Sequence, residues 1–245
     1  MVPQATDPLL EYRGVWERKP VLREVYDDIY RRMLTLCVAG PTLEIGGGSG
    51  NFKAFAPDTI STDILPAHWL DVVCDAQRLP FADRTFANVV MVDVLHHIEF
   101  PILAMREAAR LLRPGGRMVM CEPAITPLSG MFYRMFHPEP VDMSADPMME
   151  GAASPNKDPY DSNQAIPTLL TGRYRNELAG RLPELELASL EKFSFLAYPL
   201  SGGFRPWSLL PASLTRPLLE TEWKLRRVFG NLAAFRLLAA YERRA

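Results

Sequence analysis

Two rhythms of apolar and polar positions divide the first half of the chain. From Val21 to Cys37 apolar residues recur at helical spacing with charged residues between them, which predicts an amphipathic helix packed on a sheet. After Pro41 short apolar runs alternate with loops and helical stretches. These runs are Thr42–Gly46, Thr59–Asp63, Asp71–Asp75, Ala87–Asp93 and Arg117–Glu122. The succession predicts five strands of a parallel sheet with helices on both faces.

Elements that complete the sheet are predicted later in the chain. Pro101–Leu112 has the pattern of a helix, and the Arg-Pro-Gly-Gly that follows ends it. Glu186–Phe195 is predicted as a sixth strand, and Leu214–Phe229 as a helix stopped by Gly230 and Asn231. The apolar run Ala234–Tyr241 is interpreted as a seventh strand, although its Leu and Ala content fits a helix equally well.

The region between residues 123 and 217 differs in composition, being rich in proline, methionine and aromatic residues. It indicates an insertion after the fifth strand, with an exposed loop at Ser154–Asn163 and a helical pattern at Ile166–Leu182. We expect one α/β domain with a doubly wound, mostly parallel, seven-stranded sheet. Its expected parts are a helical region (1–40), a ligand-binding core (41–122), the insertion (123–183) and C-terminal strands with a helix (184–245).

Bulk properties exclude several classes of protein. The chain has 27 basic and 29 acidic residues and no basic block, so nucleic acid is not an expected partner. Cys37, Cys74 and Cys121 lie far apart, which argues against a zinc site and a disulfide framework, and no metal is expected. The N-terminus lacks a signal-peptide pattern and no apolar run reaches membrane-spanning length, so we expect a cytoplasmic protein.

The strongest local motif is the glycine-rich turn within Thr42–Asn51, a strand that runs into a turn at the start of a helix. Glycines let the backbone approach a ligand closely because no Cβ atoms intervene. Gly46, Gly48 and Gly50 follow GxGxG spacing. The dinucleotide pattern GxGxxG would require a third glycine where Asn51 stands, which disfavours a nicotinamide cofactor.

Acidic residues near strand ends accompany this turn. Glu44 precedes it on the strand, where a carboxylate suits a cationic ligand better than a pyrophosphate. Asp63 ends the second run, at the place where doubly wound folds bind ribose hydroxyls, and Asp75 ends the third. For both aspartates the alternative is a helix or turn cap.

Together these segments resemble the successive motifs of class I S-adenosylmethionine (SAM) dependent methyltransferases, particularly the type 11 group. The resemblance rests on LEIGGGSGNF, the STD acid, CDAQRLPFADRTFANVVMVDVLHHI and LLRPGGRMVM, over about residues 40–122. It implies SAM as the cofactor, with its methionine part near Glu44 and the turn, its ribose on Asp63 and its adenine beside Asp75 and the Ala76 backbone. The implied cofactor-binding residues are Glu44, Gly46, Gly47, Gly48, Gly50, Asp63, Ile64, Asp75, Ala76 and Asp93.

Methyl transfer is an in-line displacement, so catalysis depends mainly on alignment of the two substrates in a dry pocket. An oxygen nucleophile also needs a general base, for which His97 is our candidate; the alternative is that His96 and His97 cap or support the next helix. Five further residues are weaker candidates for the acceptor pocket and are more readily ordinary loop residues: His68, His137, Glu122, Asp142 and Asp146.

Two apolar clusters have alternative interpretations. One is a set of aromatics that could form an apolar or carbohydrate-stacking acceptor site, although packing within the insertion is the interpretation we favour: Phe132, Tyr133, Phe136, Tyr198, Phe204 and Trp207. The other, Trp223–Phe229, mixes cations with large apolar groups as membrane-surface helices do, but a helix covering the sheet is favoured over peripheral membrane contact.

The sequence therefore predicts a methyltransferase that acts on a small molecule, apolar, lipid-linked or glycan-related, at oxygen, nitrogen or carbon. A non-catalytic SAM-binding module for regulation or assembly is the first alternative, because the recognised motifs all concern the cofactor. An NAD(P)-dependent reductase of the same topology is the second.

Overall fold

The computed structural model describes residues 8–154 and 156–244 and shows a seven-stranded sheet flanked by helices. The strands are β1 (Thr42–Ile45), β2 (Ile60–Asp63), β3 (Val72–Val73), β4 (Phe86–Val92), β5 (Leu112–Pro123), β6 (Leu185–Phe193) and β7 (Arg236–Arg243). The helices are α1 (Pro8–Arg18), α2 (Pro20–Leu36), α3 (Asn51–Phe55), α4 (Pro101–Leu111), α5 (Pro127–Phe136), α6 (Ile166–Thr171), α7 (Arg175–Arg181), α8 (Ala197–Ser201) and α9 (Ala212–Ala233). A short 3₁₀ helix covers Leu95–His97. The prediction about the N-terminus involves residues 1–7, and the predicted loop includes Pro155; both lie outside the described residues.

The sheet has the strand order β3-β2-β1-β4-β5-β7-β6. Strands β1 to β5 pair in parallel, whereas β7 runs antiparallel to both β5 and β6. This confirms the doubly wound, mostly parallel, seven-stranded sheet and resolves Ala234–Tyr241 as a strand. The order reverses between β1 and β4, and such a switch point opens a crevice at the carboxyl ends of the strands.

Two hydrophobic layers enclose the sheet, because successive residues of a strand point to opposite faces. Val89 and Met91 of β4 pack in one layer with α4, whereas Val90 packs in the other with α2 and α3. Strands buried on both faces are continuously apolar rather than alternating. This explains the mostly apolar run that predicts β4.

Two predicted helix limits are wrong. Helix α9 continues through Gly230 to Ala233 instead of stopping at Gly230 and Asn231. Gly230 is needed for close packing, since a Cβ there would lie 2.6 Å from the carbonyl oxygen of Lys192 in β6. The predicted helical stretch Ile166–Leu182 is two short helices, α6 and α7, with a turn at Gly172 between them.

The region after β5 covers the carboxyl edge of the sheet. Helix α5 follows β5 directly, and the irregular stretches 137–154 and 156–165 precede α6. Within residues 8–154 and 156–244, no helix is long and apolar enough to cross a membrane.

Candidate functional site

A cavity of about 930 Å³ lies at the carboxyl ends of β1, β2 and β4, where the strand order reverses. Every predicted cofactor contact except Gly50 lines this cavity. His97 lines it too. Residues of the glycine turn form one end of the cavity, and residues of the region after β5 form the other end. This volume is near the upper limit for pockets that hold one ligand. The cavity therefore has room for a nucleoside cofactor beside a second molecule.

The glycine turn is shaped by contacts that exclude side chains. Gly46 has a φ of 73°, and a Cβ there would meet Val94 at 2.2 Å. At Gly47 a Cβ would lie 2.1 Å from Ser61 Oγ. Gly50, with a φ of 79°, stands at the start of α3 and shapes the turn without lining the cavity. At Gly46 and Gly47, therefore, only the backbone can face a ligand closely.

Glu44 lies beneath the turn with only 4% of its surface exposed, yet it lines the cavity. Its carboxylate accepts a hydrogen bond of 2.5 Å from Ser61 Oγ. Burial raises the pKa of Glu44 to about 7, although the bond from Ser61 opposes the shift. A buried carboxylate with this pKa is stabilised in its charged form by a cationic group, such as an amino group of a ligand.

Asp63 and Asp75 end β2 and follow β3, as predicted, and both line the cavity. Asp63 accepts hydrogen bonds from the backbone N–H groups of Gly48 at 2.8 Å and Leu65 at 2.9 Å. Asp75 accepts from the Gln77 backbone at 2.8 Å. Both therefore stabilise turns, as the alternative interpretation held, and also stand on the cavity wall. Each carboxylate retains oxygen lone pairs for a ligand hydroxyl or amino group.

Asp93, directly after β4, belongs to a charged network that the sequence did not reveal. One carboxylate oxygen accepts a 2.8 Å hydrogen bond from Tyr26 of α2, and the other pairs with the fully buried Arg236 of β7. Burial alone would raise the pKa of Asp93, but the charge and hydrogen bond of Arg236 hold it below its ordinary value. The Arg236 guanidinium also lies 4.9 Å from the Tyr198 ring centroid.

His96 is a buried imidazole between two carboxylates. Its Nδ1 lies 2.7 Å from Glu122 and its Nε2 lies 3.6 Å from Glu139. Glu122 also accepts the backbone N–H groups of Val94 and Leu95, both at 2.9 Å. Burial alone would lower the pKa of His96, but its pairing with the two glutamates raises it to about 9. His96 therefore anchors the segment after β4, which agrees with the supporting role considered for it.

His97 stands beside His96 with ring centroids 4.2 Å apart and lines the cavity. Burial and the neighbouring His96 lower the pKa of His97, so its imidazole is neutral near pH 7. Its Nδ1 is buried and has no hydrogen-bond partner among the described residues. A neutral imidazole on a cavity wall can accept a proton from a ligand hydroxyl.

One group of side chains has the composition of a metal site. His96, His97 and Glu139 each offer a ligand atom, and these atoms lie within 4.8 Å of one another. No metal was expected from the sequence, because the three cysteines lie far apart, and that argument did not consider Glu139. Charge pairing of His96 with Glu122 and Glu139 already accounts for this arrangement.

The aromatic cluster does not merely pack within the insertion, which corrects the interpretation that the sequence favoured. All six members line the cavity: Phe132, Tyr133, Phe136, Tyr198, Phe204 and Trp207. The sequence pattern could not show this, because the residues come from α5 and from the segment around α8. The cavity therefore has a polar end at the glycine turn and an aromatic end beneath α5.

Among the weaker candidates, His137 lines the cavity, and Glu122 supports His96 from beneath. His68, Asp142 and Asp146 do not belong to its walls.

Tyr12 and Tyr26 also contribute to the walls of the cavity, from α1 and α2. Sequence analysis missed these two tyrosines because their helices precede all the recognised motifs.

Comparison with known sequences finds a methyltransferase domain at residues 43–120. The chain is 38% identical over 113 residues to a demethylmenaquinone methyltransferase of Mycolicibacterium vanbaalenii, covering 44% of this chain and 48% of that protein. A protein of the same name from Streptomyces griseus is 39% identical over 89 residues, 35% of this chain and 36% of that protein. The chain thus spans about half the length, or less, of these curated relatives.

Solved structures share the fold over nearly the whole chain. A SAM-dependent methyltransferase of Thermotoga maritima, described as a possible histamine N-methyltransferase, has a TM-score of 0.56 and 16% identity, covering 96% of this chain and 99% of that one. A SAM-dependent methyltransferase of Archaeoglobus fulgidus has a TM-score of 0.54 and 16% identity, covering 90% and 94%. These similarities show the fold alone.

Proposed function

Because the chain carries the methyltransferase domain that its motifs predicted, within a class I methyltransferase fold, we propose that it transfers a methyl group from SAM to an apolar acceptor of the quinol class. One observation carries the proposal: a single cavity joins the glycine turn to a wall of six aromatic side chains. The relatives named demethylmenaquinone methyltransferases support an acceptor with a hydroxylated aromatic ring.

The residues at the polar end fit SAM. The backbone of Gly46 to Gly48, which lines the cavity, would accommodate the methionine portion, and Glu44 would attract its amino group. Asp63 and Ile64 would hold the ribose, while Asp75 and the Ala76 backbone would hold the adenine. The charged form of the buried Glu44 carboxylate is stabilised by a cation and not by an anion such as a pyrophosphate. Glu44 therefore disfavours NAD(P) as the ligand, and with it the reductase alternative.

The aromatic end positions the acceptor. SAM supplies a methyl group on a positively charged sulfur, and the chain must hold the accepting atom in line with it. Flat aromatic walls orient a planar ring with little loss of side-chain entropy and exclude water. Phe132 and Tyr133 of α5 and Tyr198 of α8 provide such walls.

His97 acts as the general base of the proposed reaction. It takes the proton of a ring hydroxyl, which raises the electron density of the ring and of its oxygen. As the accepting oxygen or carbon of the ring bonded to the methyl group of SAM, the carbon–sulfur bond would break and its electron pair would stay on sulfur, which gives S-adenosylhomocysteine. An accepting ring carbon would then lose its hydrogen as a proton, which restores the aromatic ring. Burial and the neighbouring His96 lower the pKa of His97, although Glu139 opposes this shift, so the imidazole of His97 is neutral and able to accept this proton.

Transfer of an isotopic label tests the proposal. The protein is incubated with SAM carrying a deuterated methyl group and a demethylnaphthoquinone kept reduced, and the extracted products are analysed by mass spectrometry. We expect the labelled methyl group in the quinone fraction and S-adenosylhomocysteine in equal amount. Binding of SAM without transfer to a broad panel of quinols and phenols would instead favour the non-catalytic SAM-binding module.

A further inference from the structure

Helix α5 exposes an apolar stripe on the side away from the protein. Leu128, Met131 and Met135 recur at helical spacing and are 45%, 57% and 64% exposed. Ser129 and Tyr133, on the opposite side of the helix, are buried. An amphipathic helix normally directs its apolar side inward. Helix α5 departs from this rule, because its outward side also carries large apolar side chains.

Helix α9 has a second stripe of the same kind. Leu225, Val228 and Leu232 are 40%, 71% and 49% exposed, while other side chains of the helix pack on α2 and β6. The two helices are neighbours, since Thr126 at the start of α5 donates to the carbonyl of Ala234 at the end of α9, at 3.2 Å. The sheet-covering role predicted for α9 is thus combined with an apolar outer side.

The stripe of α5 reaches the mouth of the cavity. Phe136, its last residue, is 60% exposed and also lines the cavity, as does Trp207, which is 43% exposed. Arg205 donates a 3.3 Å hydrogen bond to the Phe136 carbonyl and so joins the two segments. Leu209, farther along the same segment, is 71% exposed. Apolar surface therefore continues from the cavity onto the outside of the protein.

The charge of these helices is opposite to that of the whole chain. Together α5 and α9 carry five basic residues, Arg134, Arg216, Lys224, Arg226 and Arg227, against two acidic ones, Glu220 and Glu222. Glu222 is buried and accepts backbone N–H groups of α8 and its N-cap. The chain as a whole has a net charge of −2. Arg216 pairs with Glu220 and Arg226 with Glu191 of β6, so the excess positive charge beside the exposed apolar stripes rests on Arg134, Lys224 and Arg227.

We propose that this α5–α9 face, formed by the exposed stripes of both helices and by Phe136, Trp207 and Leu209, docks on the surface of an anionic phospholipid bilayer. The inference rests on the proposed function for the nature of the acceptor: docking places the cavity mouth against the bilayer, so that the acceptor's ring enters while its apolar tail stays in lipid. Exposed apolar side chains insert at the headgroup boundary, and cations beside them are attracted to an anionic surface.

A second copy of the chain fits this face less well than a membrane. A symmetric dimer would oppose two surfaces of the same positive charge, and like charges across an interface disfavour association. It would also cover Phe136 and Trp207, where the cavity opens. An anionic bilayer matches the charge and leaves the mouth accessible to lipid-soluble molecules.

Vesicle flotation tests the docking directly. The full chain is mixed with vesicles of phosphatidylcholine alone or of phosphatidylcholine with phosphatidylglycerol, at low and high salt. The variant M131D/V228D replaces one exposed apolar residue in each stripe, and Met149→Asp is the matched control, because Met149 is 60% exposed and lies outside both helices. Circular dichroism and the affinity for SAM verify that all variants fold.

We expect the wild type and Met149→Asp to float with the anionic vesicles, less so at high salt, and M131D/V228D to bind about tenfold or more weakly. Equal flotation of M131D/V228D and wild type, or no flotation of the wild type, overturns the proposal. Light scattering that shows a dimer which M131D/V228D converts to a monomer overturns it as well, by making the face an interface between copies.

Activity assays separate this inference from the proposed function. Against a short-chain, water-soluble demethylnaphthoquinol, M131D/V228D should retain wild-type methyl transfer; against a long-chain acceptor embedded in anionic vesicles it should lose about tenfold. Vesicle binding without methyl transfer to either acceptor would refute the proposed function and leave docking intact. Transfer to both acceptors at wild-type rates by M131D/V228D would refute docking alone.

Discussion

Arg236 at the start of β7 forms an ion pair with Asp93 at the end of β4, although 143 residues separate them in the chain. Arg236 is completely buried, and Asp93 lines the cavity. The antiparallel strand that distinguishes this sheet from a fully parallel one thus supplies a charge to the site. Asp93 itself has a φ of 59°, a left-handed conformation that Asp and Asn adopt more readily than most residues.

Breaking this pair is expected to destabilise the protein strongly. Arg236→Leu leaves the carboxylate of Asp93 without its cation, and loss of one partner of a buried pair typically costs about 3–5 kcal/mol. Urea unfolding followed by circular dichroism measures the change in the free energy of unfolding. D93N/R236L should recover part of the loss. Arg216→Leu, which removes an exposed pair with Glu220, should change stability by about 1 kcal/mol or less; an equal effect of both single variants would contradict the assigned burial.

Affinity for SAM should depend on the ionisation of Glu44. Burial raises the pKa of Glu44 to about 7, and the cofactor's amino group favours the charged carboxylate. Lowering the pH below about 7 should therefore weaken binding by up to about tenfold per pH unit. Titration calorimetry across this range measures the dependence. Glu44→Gln should bind more weakly near pH 8 and lose the pH dependence; an unchanged dependence would show that another group titrates.

The same shift in pKa predicts an effect on the stability of the ligand-free protein. The folded-state pKa of Glu44 lies above its ordinary value of 4.5, so its contribution is present below that value and is lost as pH rises through about 7. Glu44→Gln should therefore stabilise the ligand-free protein near pH 8 by roughly 3 kcal/mol, and by much less near pH 5. Thermal unfolding at the two pH values makes this comparison.

A methyl group added to the glycine turn should abolish cofactor binding. In Gly47→Ala the new Cβ would lie 2.1 Å from Ser61 Oγ and 3.1 Å from Glu44 Oε2, so either the turn or the Ser61–Glu44 hydrogen-bonded pair beneath it must shift. Gly180→Ala in α7 is the matched control, because a Cβ there meets nothing within 4 Å. Thermal shift with SAM should show stabilisation of the control only. Full stabilisation of Gly47→Ala would mean that the turn does not contact the cofactor.

Removal of His97 should affect the rate of methyl transfer more than cofactor affinity. General bases contribute about 10²–10⁴-fold, so His97→Ala should lower kcat by at least about 10²-fold. Because the pKa of His97 lies below its ordinary value, the wild-type rate should already be maximal near pH 7 and fall in acid. His68→Ala, at an exposed position outside the cavity, is the control. A His97→Ala variant as active as this control would assign proton removal to another group.

Much of the fold could be predicted because its signals are local. Strand β4 is a mostly apolar run bounded by turns, and helix α2 follows one periodic pattern. The helix limits near Gly230 were predicted wrongly because that glycine serves a contact with Lys192, distant in the chain. A glycine that permits close packing has the same sequence signal as one that ends a helix.

The two ends of the site differed in how far they could be predicted. The end at the glycine turn is built from short local motifs, so the sequence could predict that Glu44 and Asp63 lie there, as they do. The acceptor end is assembled by tertiary packing of α1, α2, α5, α8 and β7. Tyr26 and Arg236 carry no local motif, and the aromatic residues of α5 have the composition of an ordinary core. Their shared location depends on strand order, which composition does not encode.

Titration calorimetry with SAM tests the central claim most directly, since every assignment depends on a nucleoside cofactor at the edge of β1, β2 and β4. The account predicts one SAM bound per chain, with Asp63→Ala weakening the affinity by about 1–3 kcal/mol and Asp58→Ala, at an exposed position outside this cavity, leaving it unchanged. Absence of SAM binding by the wild type, together with binding of NAD(P), would contradict it.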